Sequence, residues 1–547
     1  MEWKKKDACK TVKECHLRNM GVASTDEINE WFLKSYHDQY RINGLDQLKA
    51  VLSTFKNKPI YICGDYDVDG VMAVTVMYMT LARYLKYPKV KYVIPERHTQ
   101  GYGLNIQIVE KMVAESEPGC LITVDNGIAA IESIAYAKKM GWTVIVTDHH
   151  LQAKKDGKTV YPNADLIIDP QAIPNSSDFN GYCGAGLAYK VACELIGRKA
   201  ARSMLPFAAI ATIADLVELT QENYVIVRNG LDLISKGYIT PGLKALKSMN
   251  QLDLVDDSDV GFKIAPQINA PGRLYKNGAM FSVGLMLSDS EKADDFAYKI
   301  KEINEVRKGL VREAVEKIEA RFEQYQKTDP IIIEYLPNVN QGIIGIVAGN
   351  ICEKYKRPVI ILTEHAADHT VLTGSARSVH GFHIKNFLDK IQNYVLKYGG
   401  HEVAAGLSIK ADEYDVFKNA ALEEVKRIGY VPSEIQEMYY DLEINADKIH
   451  ECFNETYRFA PFGNGNDALI FKINGFTLRY QYGDPLLDIG KSGIRLSGTY
   501  CNAISFDLRD RIREETSLDG IVLYGKITRN QYNGKVYPQV EILDYKV

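Results

Sequence analysis

The sequence lacks the long apolar runs and the paired cysteines that would place it in a membrane or in a disulfide-rich secreted class. No stretch approaches the roughly 18 consecutive apolar residues that span a bilayer, and no apolar segment follows the charged N-terminus MEWKKKDACK. The nine cysteines are scattered and form no C-x-x-C pair, a pattern typical of reduced thiols. We therefore expect a cytoplasmic protein without an export signal or a membrane anchor.

The chain also lacks an excess of positive charge. Its 66 Lys and Arg against 70 Asp and Glu give a formal net charge of −4, which excludes binding to nucleic acid by bulk electrostatics. Any contact with DNA must therefore come from a local basic groove. Carboxylates that surround metal ions would themselves make the formal charge more negative, so the value is compatible with a metalloenzyme.

Neither a long internal repeat nor a low-complexity tract is present, and 547 residues favour several domains over one core. From about 58 to 170, short β-branched runs alternate with helical patterns, which predicts a doubly wound parallel sheet. From about 290 to 325, apolar positions recur at helical spacing with dense charge between them. This pattern predicts one long amphipathic helix that joins two lobes.

Two further patterns follow the predicted helix. A second alternating region begins with PIIIEYL and ends in the glycine-rich KYGGHEVAAGLSI, and predicts a smaller α/β domain. From about 430 the pattern changes to short strands, and the pair Asn533 and Gly534 between two alternating segments indicates a β-hairpin. About five strands of this size predict a small barrel of the oligonucleotide-binding (OB) type.

Three predicted strands of the first sheet end directly on polar clusters. These clusters are Asp65, Asp67 and Asp69 in GDYDVDG, Asp125 in LITVDNG, and Asp148, His149 and His150 in VTDHHL. Because ligands bind beyond the carboxyl ends of strands in open α/β sheets, the side chains are expected at one rim. Crowded carboxylates need positive compensation, and hard divalent cations such as Mg²⁺ or Mn²⁺ prefer oxygen ligands. An acidic loop or a calcium-like turn is the alternative for the first cluster.

Asp215 lies inside the otherwise apolar segment AIATIADLVEL. A buried carboxylate among Ala, Ile and Leu is costly unless it is paired or binds a metal, so Asp215 is a further candidate ligand. A helix cap or a partner of a buried arginine is the alternative.

The motifs GDYDVDG, PERHTQGYGLN, LITVDNG and VTDHH, in this order and at these distances, resemble the signature motifs of the DHH phosphoesterase superfamily. GSARS and GGHEVAAG resemble the accessory DHHA1 domain that follows the DHH domain in this superfamily. INAPGRL, FAPFGNGN and the terminal GKITRNQYNGKVYPQVEILDY resemble features of its RecJ family of single-strand-specific 5′ to 3′ exonucleases. The resemblance implies a DHH domain over 1–287, a connecting helix over 288–326, a DHHA1 domain over 327–428 and an OB-like nucleic-acid-binding domain over 429–547.

The same resemblance implies two divalent metal ions, Mn²⁺ or Mg²⁺. One would be held by Asp65, Asp67 and Asp125, and the other by Asp69, Asp125, His149 and Asp215. His150 would then face the scissile phosphate, and Asp148 is the second expected catalytic residue. The implied reaction is two-metal hydrolysis of a phosphodiester bond, with water as the nucleophile and without a covalent intermediate.

Substrate contacts are implied by the same route. Arg97 and Arg273 are candidate phosphate ligands because the guanidinium of an arginine donates two hydrogen bonds at once. A surface salt bridge is the alternative for each. Arg273 is expected to follow a turn in NAPGRL. GSARS resembles a pocket for a 5′-terminal phosphate, which would set the polarity of degradation. The full set of expected substrate-binding residues is Arg97, Arg273, Ser375, Arg377, Ser378, Gly399, Gly400 and His401.

The barrel hairpin carries residues suited to stacking bases and neutralising phosphates, namely Arg529, Tyr532, Lys535 and Tyr537.

Two positions depart from the family pattern. Asn340 stands in NVNQGIIGIVA where many relatives have a histidine, and Cys63 stands where some DHH phosphoesterases place a ligating histidine, with Asp65 as the expected substitute. The chain ends at the barrel, so we expect no further C-terminal partner-binding domain.

These features favour a metal-dependent exodeoxyribonuclease that degrades single-stranded DNA in DNA repair or recombination. The alternatives are a DHH phosphodiesterase acting on oligoribonucleotides or cyclic dinucleotides, which would not need the barrel, and a non-catalytic DHH scaffold in a replication complex, which should have lost metal ligands. We expect a monomer, with a single-strand-binding protein or a helicase as candidate protein partners.

Overall fold

Three large sheets organise the chain in a computed structural model, which describes residues 2–97, 99–155, 157–172, 177–325, 329–432, 437–480, 483–532 and 534–547. The sheets contain five, five and seven strands, and each packs against its own hydrophobic core. The predicted fold class is confirmed: a parallel-sheet domain, a long helix, a smaller α/β domain and a β-barrel follow one another along the chain.

The first sheet is parallel throughout. Its strands, in spatial order, are Val90–Val93, Ile60–Cys63, Cys120–Val124, Thr143–Thr147 and Leu166–Ile168. Successive residues of a strand point to opposite faces, and here they enter two different cores. Both faces are buried, which explains why these strands are continuous apolar runs in the sequence.

Helices cover both faces of this sheet. Ile106–Glu115 and Ile131–Lys139 pack on one face. The opposite face carries a larger layer, made of Leu45–Ser53, Val68–Tyr78, Gly184–Ile196, Leu205–Ala214, Gln221–Ser235, Pro241–Met249, Ala265–Leu274 and Gly278–Leu287. Thr25–Tyr36 packs outside this layer, and a short hairpin pairs Ala153–Lys155 with Lys158–Val160.

The predicted long helix is present as Ala293–Tyr325 and has 33 residues, a length of about 50 Å. Its buried side chains divide along its length. Ala297 and Ile300 enter the core of the first domain, whereas Ile318 and Phe322 enter a core of the next domain. The helix therefore joins the two domains through its own apolar face. Neither this helix nor any other in the described part of the chain is long and apolar enough to cross a membrane.

The accessory domain is built on a mixed sheet. Its strands, in spatial order, are Lys397–Gly400, Ala404–Lys410, Asp368–Arg377, Val359–His365 and Ile332–Tyr335. The last two are parallel and the other neighbours are antiparallel. The helices of this domain are Ile344–Tyr355, Ile384–Lys390 and Tyr414–Arg427.

The C-terminal sheet contains, in spatial order, Leu442–Asn445, Ile470–Phe476, Ile521–Tyr532, Lys535–Lys546, Asn502–Ser505, Gly493–Ser497 and Leu486–Ile489. Leu478 bridges to Gly498, so that five of the strands close into a barrel around a separate core. This confirms the predicted OB-type barrel. Tyr532 pairs with Lys535 across the predicted hairpin, while Asn533 and the side chain of Tyr532 lie outside the described residues. Two helices, Ile449–Thr456 and Arg509–Arg513, belong to this domain.

The N-terminal residues pack with this barrel. Glu2–Lys5 pairs in parallel with Glu437–Tyr440, and the ring of Trp3 stacks on Tyr524 with 4.5 Å between centroids. The helix Val12–Asn19 adds apolar side chains to the barrel core. The two ends of the chain are thus held in one structural unit.

The barrel is anchored to the first domain through an ion pair. Arg529 Nη2 lies 2.9 Å from Asp256 Oδ2 and 3.4 Å from Asp259 Oδ2, and Gln531 Nε2 donates to Leu254 O at 2.8 Å. The guanidinium of Arg529 is mostly buried at this interface. The expectation that Arg529 neutralises DNA phosphates is therefore corrected: its charge is engaged by two carboxylates.

Candidate metal centre

Three carboxylates lie at the carboxyl ends of three adjacent strands of the first sheet. Asp125 directly follows Cys120–Val124, Asp148 directly follows Thr143–Thr147, and Asp65 comes shortly after Ile60–Cys63. All three side chains are buried. The strand ends bring them to one rim, as the topology of an open parallel sheet requires.

Two helix N-termini hold the other carboxylates of GDYDVDG. Asp67 caps the helix Val68–Tyr78 by accepting from Gly70 N–H at 3.0 Å. Asp69 accepts from the N–H groups of Gly184 and Ala185, at 2.6 and 2.7 Å, where the next helix begins. A Cβ on Gly70 would lie 2.3 Å from Asp65 O, so only glycine lets the acidic loop and the helix pass this closely. The partial positive charge of both helix ends favours carboxylates here.

His149 is the point at which the carboxylates meet. Its Nε2 lies 3.0 Å from Asp125 Oδ1, 3.6 Å from Asp69 Oδ2 and 3.9 Å from Asp215 Oδ2. Asp125 adopts a left-handed backbone with φ 62°, a strained conformation that tends to occur at functional sites. Gly184 makes room for it, because a Cβ there would lie 2.4 Å from Asp125 Cβ.

Asp148 orients His150 rather than joining the cluster. Asp148 Oδ1 lies 2.7 Å from His150 Nδ1, and its other oxygen accepts from Ile128 N–H at 2.8 Å. Burial acts to raise the pKa of Asp148, but the hydrogen bond and charge of His150 outweigh it and lower that pKa. Burial acts to lower the pKa of His150, but Asp148 raises it to about 9. The His150 side chain is 43% exposed, so it is a cationic donor at the opening of the site.

The carboxylates of the site have high proton affinity in the absence of cations. Burial, followed by repulsion from Asp67, raises the pKa of Asp65 to about 8. Burial and neighbouring carboxylates raise the pKa of Asp215 to about 8 and also raise the pKa values of Asp67 and Asp125. The positive charge of Arg97 offsets this only in part. Such a cluster requires added positive charge to remain ionised.

The donor set fits hard divalent cations. Two groups offer ligand atoms within 4.8 Å of one another, Asp69 with His149 and Asp215, and Asp125 with His149 and His150. Carboxylate oxygens with one or two imidazoles suit Mg²⁺ and Mn²⁺. The group of Asp69, His149 and Asp215 belongs to the ligand set expected for the second metal. Asp65 and Asp67 are coupled to Asp125 electrostatically, and their assignment to the other metal stays a prediction.

Stability of the metal-free protein is expected to fall as pH rises. Asp65 and Asp215 have folded pKa values of about 8, against about 3.9 in an unfolded chain. Their contribution to stability is therefore fully present below about pH 4 and is lost as pH rises through about 8. The thermal unfolding midpoint in EDTA should decrease from pH 5 to pH 9, whereas Mn²⁺ should largely abolish this decrease. Equal pH dependence with and without Mn²⁺ would contradict the prediction.

An arginine cluster adjoins the metal centre. The guanidinium carbon of Arg97 lies 4.7 Å from the centre of the Tyr66 ring, and Arg273 Nη1 donates to Gly342 O at 3.2 Å. Burial and then the charge of Arg97 lower the pKa of Arg273 to about 10. Burial also lowers the pKa of Arg377, and Arg97 adds to this effect. Arginines of the first and accessory domains thus lie close enough for their charges to interact. They are the candidates for the local basic groove that we expect from the net charge.

One face of the accessory sheet is exposed at Gly399 and Gly406, beside this cluster. Arg377 Nη1 donates to Ser375 Oγ at 3.0 Å, and both side chains point to the same face. Ser375 pairs with Gly406, which in turn pairs with Gly399. A Cβ on Gly345, at the start of the neighbouring helix, would lie 3.0 Å from Arg377 Nη2. Because residues 345, 399 and 406 are glycines, their backbone is accessible beside the guanidinium of Arg377 and the hydroxyl of Ser375.

Three further residues of the accessory domain, Ser378, Gly400 and His401, were expected to bind substrate. Gly400 ends the strand Lys397–Gly400, and His401 N–H donates to Ala404 O at 2.8 Å while its side chain is exposed. Ser378 Oγ donates to Phe382 O at 2.5 Å. The hydroxyl of Ser378 is thus engaged with the backbone, and its contact with substrate stays a prediction.

The expected turn before Arg273 is wrong. INAPGRL lies within the helix Ala265–Leu274, with Pro271 inside it. Pro and Gly usually end helices, but this proline stands near the C-terminal end, where few hydrogen bonds remain to be lost. Gly272 allows close packing, since a Cβ there would lie 3.0 Å from Tyr66 O.

The two departures from the family pattern have clear structural settings. Asn340 Oδ1 accepts from Gly342 N–H at 2.8 Å, and its Nδ2 donates to Leu274 O at 3.4 Å. The amide thus ties the accessory domain to the end of the Arg273 helix. Cys63 is buried in the apolar core beneath the sheet, and burial raises the pKa of its thiol. The charge of Asp65 adds to the effect of burial.

Sequence reasoning missed several residues of the site. Tyr102 O–H donates to Asp125 O at 2.7 Å, and its oxygen lies 3.0 Å from His150 Nδ1. Its position in the motif GYGLN was the available signal. Asn126 is fully buried and joins two strand ends through bonds to Cys63 O and Val124 O. Arg307 on the long helix lowers the pKa of Arg273, and no feature of the sequence distinguishes it from the other charges there.

Comparisons with known proteins match each domain of this chain. The DHH family, N-terminal domain, matches residues 59–218, the DHHA1 domain matches 328–427 and the RecJ OB domain matches 440–544. The single-stranded-DNA-specific exonuclease RecJ of Dickeya dadantii is 31% identical over 552 residues, covering 94% of this chain and 92% of that protein. This chain belongs to the RecJ family.

Other members of the RecJ family extend the comparison. RecJ of Bacillus subtilis is 29% identical over 533 residues, and the match covers 94% of this chain but 64% of that longer protein. The crystal structure of Thermus thermophilus RecJ in complex with Mn²⁺ matches with a TM-score of 0.77 at 22% identity, covering 100% of this chain and 79% of that one. The latter shows a shared fold across all three domains.

Proposed function

We propose that this chain is a metal-dependent exodeoxyribonuclease that removes nucleotides from the 5′ end of single-stranded DNA. The observation that carries the proposal is the position of Arg97. Its charge acts both on Asp65 and Asp67 of the metal centre and on Arg273 and Arg377 of the arginine cluster. This link between the two groups supports a phosphate-binding site beside a hydrolytic site, as a terminal phosphate and the next phosphodiester of a strand would require.

Arginines suit the terminal phosphate for a physical reason. A monoester phosphate carries more charge than a diester and presents three equivalent oxygens, so several guanidiniums can bind it at once. Arg273 and Arg377 are the proposed ligands, and Ser375 together with the bare backbone at Gly399 completes the pocket. Binding of the 5′ end at this location places the first phosphodiester toward Asp65 and His149.

The residues around the scissile bond have distinct proposed roles. Asp65, Asp67, Asp69, Asp125, His149 and Asp215 would hold two divalent cations, Mn²⁺ or Mg²⁺, which supply Lewis-acid polarisation of the phosphate and activation of water when bound. Thermus thermophilus RecJ, a structural relative, has been solved with each of these ions. Asp148 accepts from Nδ1 of His150, and Nε2–H, which lies 3.3 Å from the Tyr102 hydroxyl, is the donor proposed for a phosphate oxygen. The hydrogen bond and charge of Asp148 raise the pKa of His150, which favours the charged form of this donor.

The products follow from which bond breaks. Water adds to phosphorus, the bond from phosphorus to the 3′ oxygen breaks, and that oxygen leaves with a proton. The released nucleotide carries the original 5′-phosphate, and the shortened strand begins with a new one. Each cycle thus regenerates the group that the arginines bind, so degradation continues in the 5′ to 3′ direction.

The setting of the reaction is part of the proposal. We infer a monomer because the metal centre and the arginine cluster are complete within one chain. A reducing cytoplasm fits the cysteines, all nine of which are free thiols. Proteins that produce or cover single strands, such as a helicase or a single-strand-binding protein, are the proposed partners because they would present the substrate.

The proposal is tested by a panel of substrates. Equal amounts of 5′-phosphorylated and 5′-hydroxyl single-stranded DNA, each with a blocked 3′ end, are incubated with the protein in Mn²⁺ or Mg²⁺, alongside blunt duplex DNA, matching RNA and a cyclic dinucleotide. The expected result is mononucleotide release from the 5′-phosphorylated single strand despite the 3′ block, with loss of activity in EDTA. Preferred cleavage of RNA or of the cyclic dinucleotide, or arrest by the 3′ block, would overturn it.

A further inference from the structure

A turn of the C-terminal barrel domain packs directly behind a candidate metal ligand. This docking turn spans residues 459–466 and contacts the segment 216–220 that follows Asp215. Asn464 makes two of the contacts. Its carbonyl accepts from Leu219 N–H at 2.7 Å, and its Nδ2 donates to Leu216 O at 3.0 Å. Asn464 therefore links the barrel domain to the residue that directly follows the candidate ligand Asp215.

The segment that Asn464 holds has an unusual backbone. Asp215 is the C-terminal cap of the helix Leu205–Ala214, and Leu216, the next residue, is left-handed with φ 56°. A leucine rarely adopts this left-handed region, and Leu216 is 72% exposed, so packing of its side chain does not compensate for the strain. The Nδ2–H of Asn464 donates to the carbonyl oxygen of this strained residue, Leu216. This carbonyl belongs to the residue that directly follows Asp215 at the end of its helix.

The docking turn is itself rigid. Asn466 is fully buried and its Nδ2 donates to Phe459 O at 2.8 Å and to Pro461 O at 2.7 Å. A Cβ on Gly463 would lie 2.9 Å from Leu219 Cδ1, and Gly465 has φ 77°. The turn is thus shaped to approach the segment 216–220 closely. A hydrogen bond from outside the coordination sphere can orient a metal ligand only if its own donor is held in place.

We propose that Asn464 is a positioning residue for the metal ligand Asp215, so that the barrel domain completes the metal centre in addition to contacting DNA. The inference rests on the proposed function in one respect, the assignment of Asp215 as a ligand. The side-chain amide is required because its N–H donates to Leu216 O, whereas the contact with Leu219 N–H is made by the backbone carbonyl of residue 464. An alanine retains the second contact and loses the first.

The test compares two alanine variants of the full chain. Asn464→Ala removes the hydrogen bond behind Asp215. Asn474→Ala is the matched control, because Asn474 is an asparagine of the same domain whose Nδ2 donates to Glu443 at 2.8 Å on an exposed surface. Mn²⁺ alone is titrated into each protein by calorimetry, and thermal unfolding in EDTA verifies that each folds. We expect Asn464→Ala to bind Mn²⁺ about 10-fold more weakly, and Asn474→Ala to bind it as the parent does.

Further measurements separate positioning from a general structural effect. Asn464→Gln retains the amide donor and should bind Mn²⁺ within about 3-fold of the parent. With 5′-phosphorylated single-stranded DNA, Asn464→Ala should lower kcat while KM stays near the parent value, because the arginine cluster is unchanged. Unchanged Mn²⁺ affinity in Asn464→Ala, an equal loss in Asn474→Ala, or an equal loss in Asn464→Gln would overturn the inference. If the parent protein does not hydrolyse DNA, the proposed function fails, while the Mn²⁺ titration still decides the role of Asn464.

Discussion

Asp125→Asn is expected to lower kcat on 5′-phosphorylated single-stranded DNA by about 1000-fold or more, a loss at least as large as removal of one preorganised charge-stabilising group. Asp125 is the carboxylate closest to His149, at 3.0 Å, and is the residue expected to be shared by both metals. The amide has the same shape and tolerates the left-handed backbone at φ 62°. The substitution therefore changes the charge and the ligand chemistry without changing the fold.

The stability of the same variant is expected to move in the opposite direction. Burial and repulsion from Asp69 raise the pKa of Asp125 in the metal-free protein, so a neutral amide should raise the thermal unfolding midpoint in EDTA at neutral pH. Asp165→Asn is the control, since Asp165 precedes a strand of the same sheet at its other end and pairs with Lys138 at 2.6 Å. Activity close to the parent in Asp125→Asn would exclude a ligand role for this carboxylate.

Arg377→Ala is expected to raise KM for 5′-phosphorylated single-stranded DNA by about 10- to 100-fold, because hydrogen bonds to a charged group contribute about 1.5 to 3 kcal/mol. Arg377 is held against Ser375 and lies within electrostatic reach of Arg97. A 5′-hydroxyl strand lacks the phosphate that Arg377 would bind. Its KM should therefore be nearly the same in the parent and in the variant, and the preference for 5′-phosphate should be lost.

Steady-state kinetics on the two strands measure this preference directly. Arg427→Ala is the matched control in the same domain, because Arg427 is exposed and pairs with Glu424 on its own helix. If Arg377→Ala weakens binding of both strands equally, the residue contributes general attraction for DNA and does not select the 5′ end. A variant indistinguishable from the parent on both strands would remove Arg377 from the pocket.

The fold was predictable where its signals are local. The continuous apolar strands of the first sheet and the helical spacing of Ala293–Tyr325 depend on side chains close to one another in the sequence. INAPGRL shows the limit of such signals. The proline and glycine indicated a turn, but the chain remains helical to Leu274, and the glycine serves the close approach of Tyr66 O instead. That packing partner lies about 200 residues earlier in the sequence.

The metal centre was predictable for a similar reason. Asp65, Asp125 and Asp148 each follow an apolar strand, and parallel strands carry their carboxyl ends to one edge. A local rule about topology was therefore sufficient to gather them. It could not separate the roles of His149 and His150, which follow from burial: one imidazole lies among the carboxylates and the other lies at the opening.

The sequence by itself determined the residue types of the chemistry: an acidic cluster with two histidines at the ends of parallel strands, followed by a serine and arginine segment, a glycine pair and a barrel. Only the tertiary structure decided which of these residues act together. It placed Arg307 within electrostatic reach of Arg273, directed the Tyr102 hydroxyl to Asp125 O, and set Asn464 against Leu216, the residue after Asp215. The physical reason is that hydrogen bonds and charge interactions act over a few ångströms in space, and between domains that distance is set by how the cores pack.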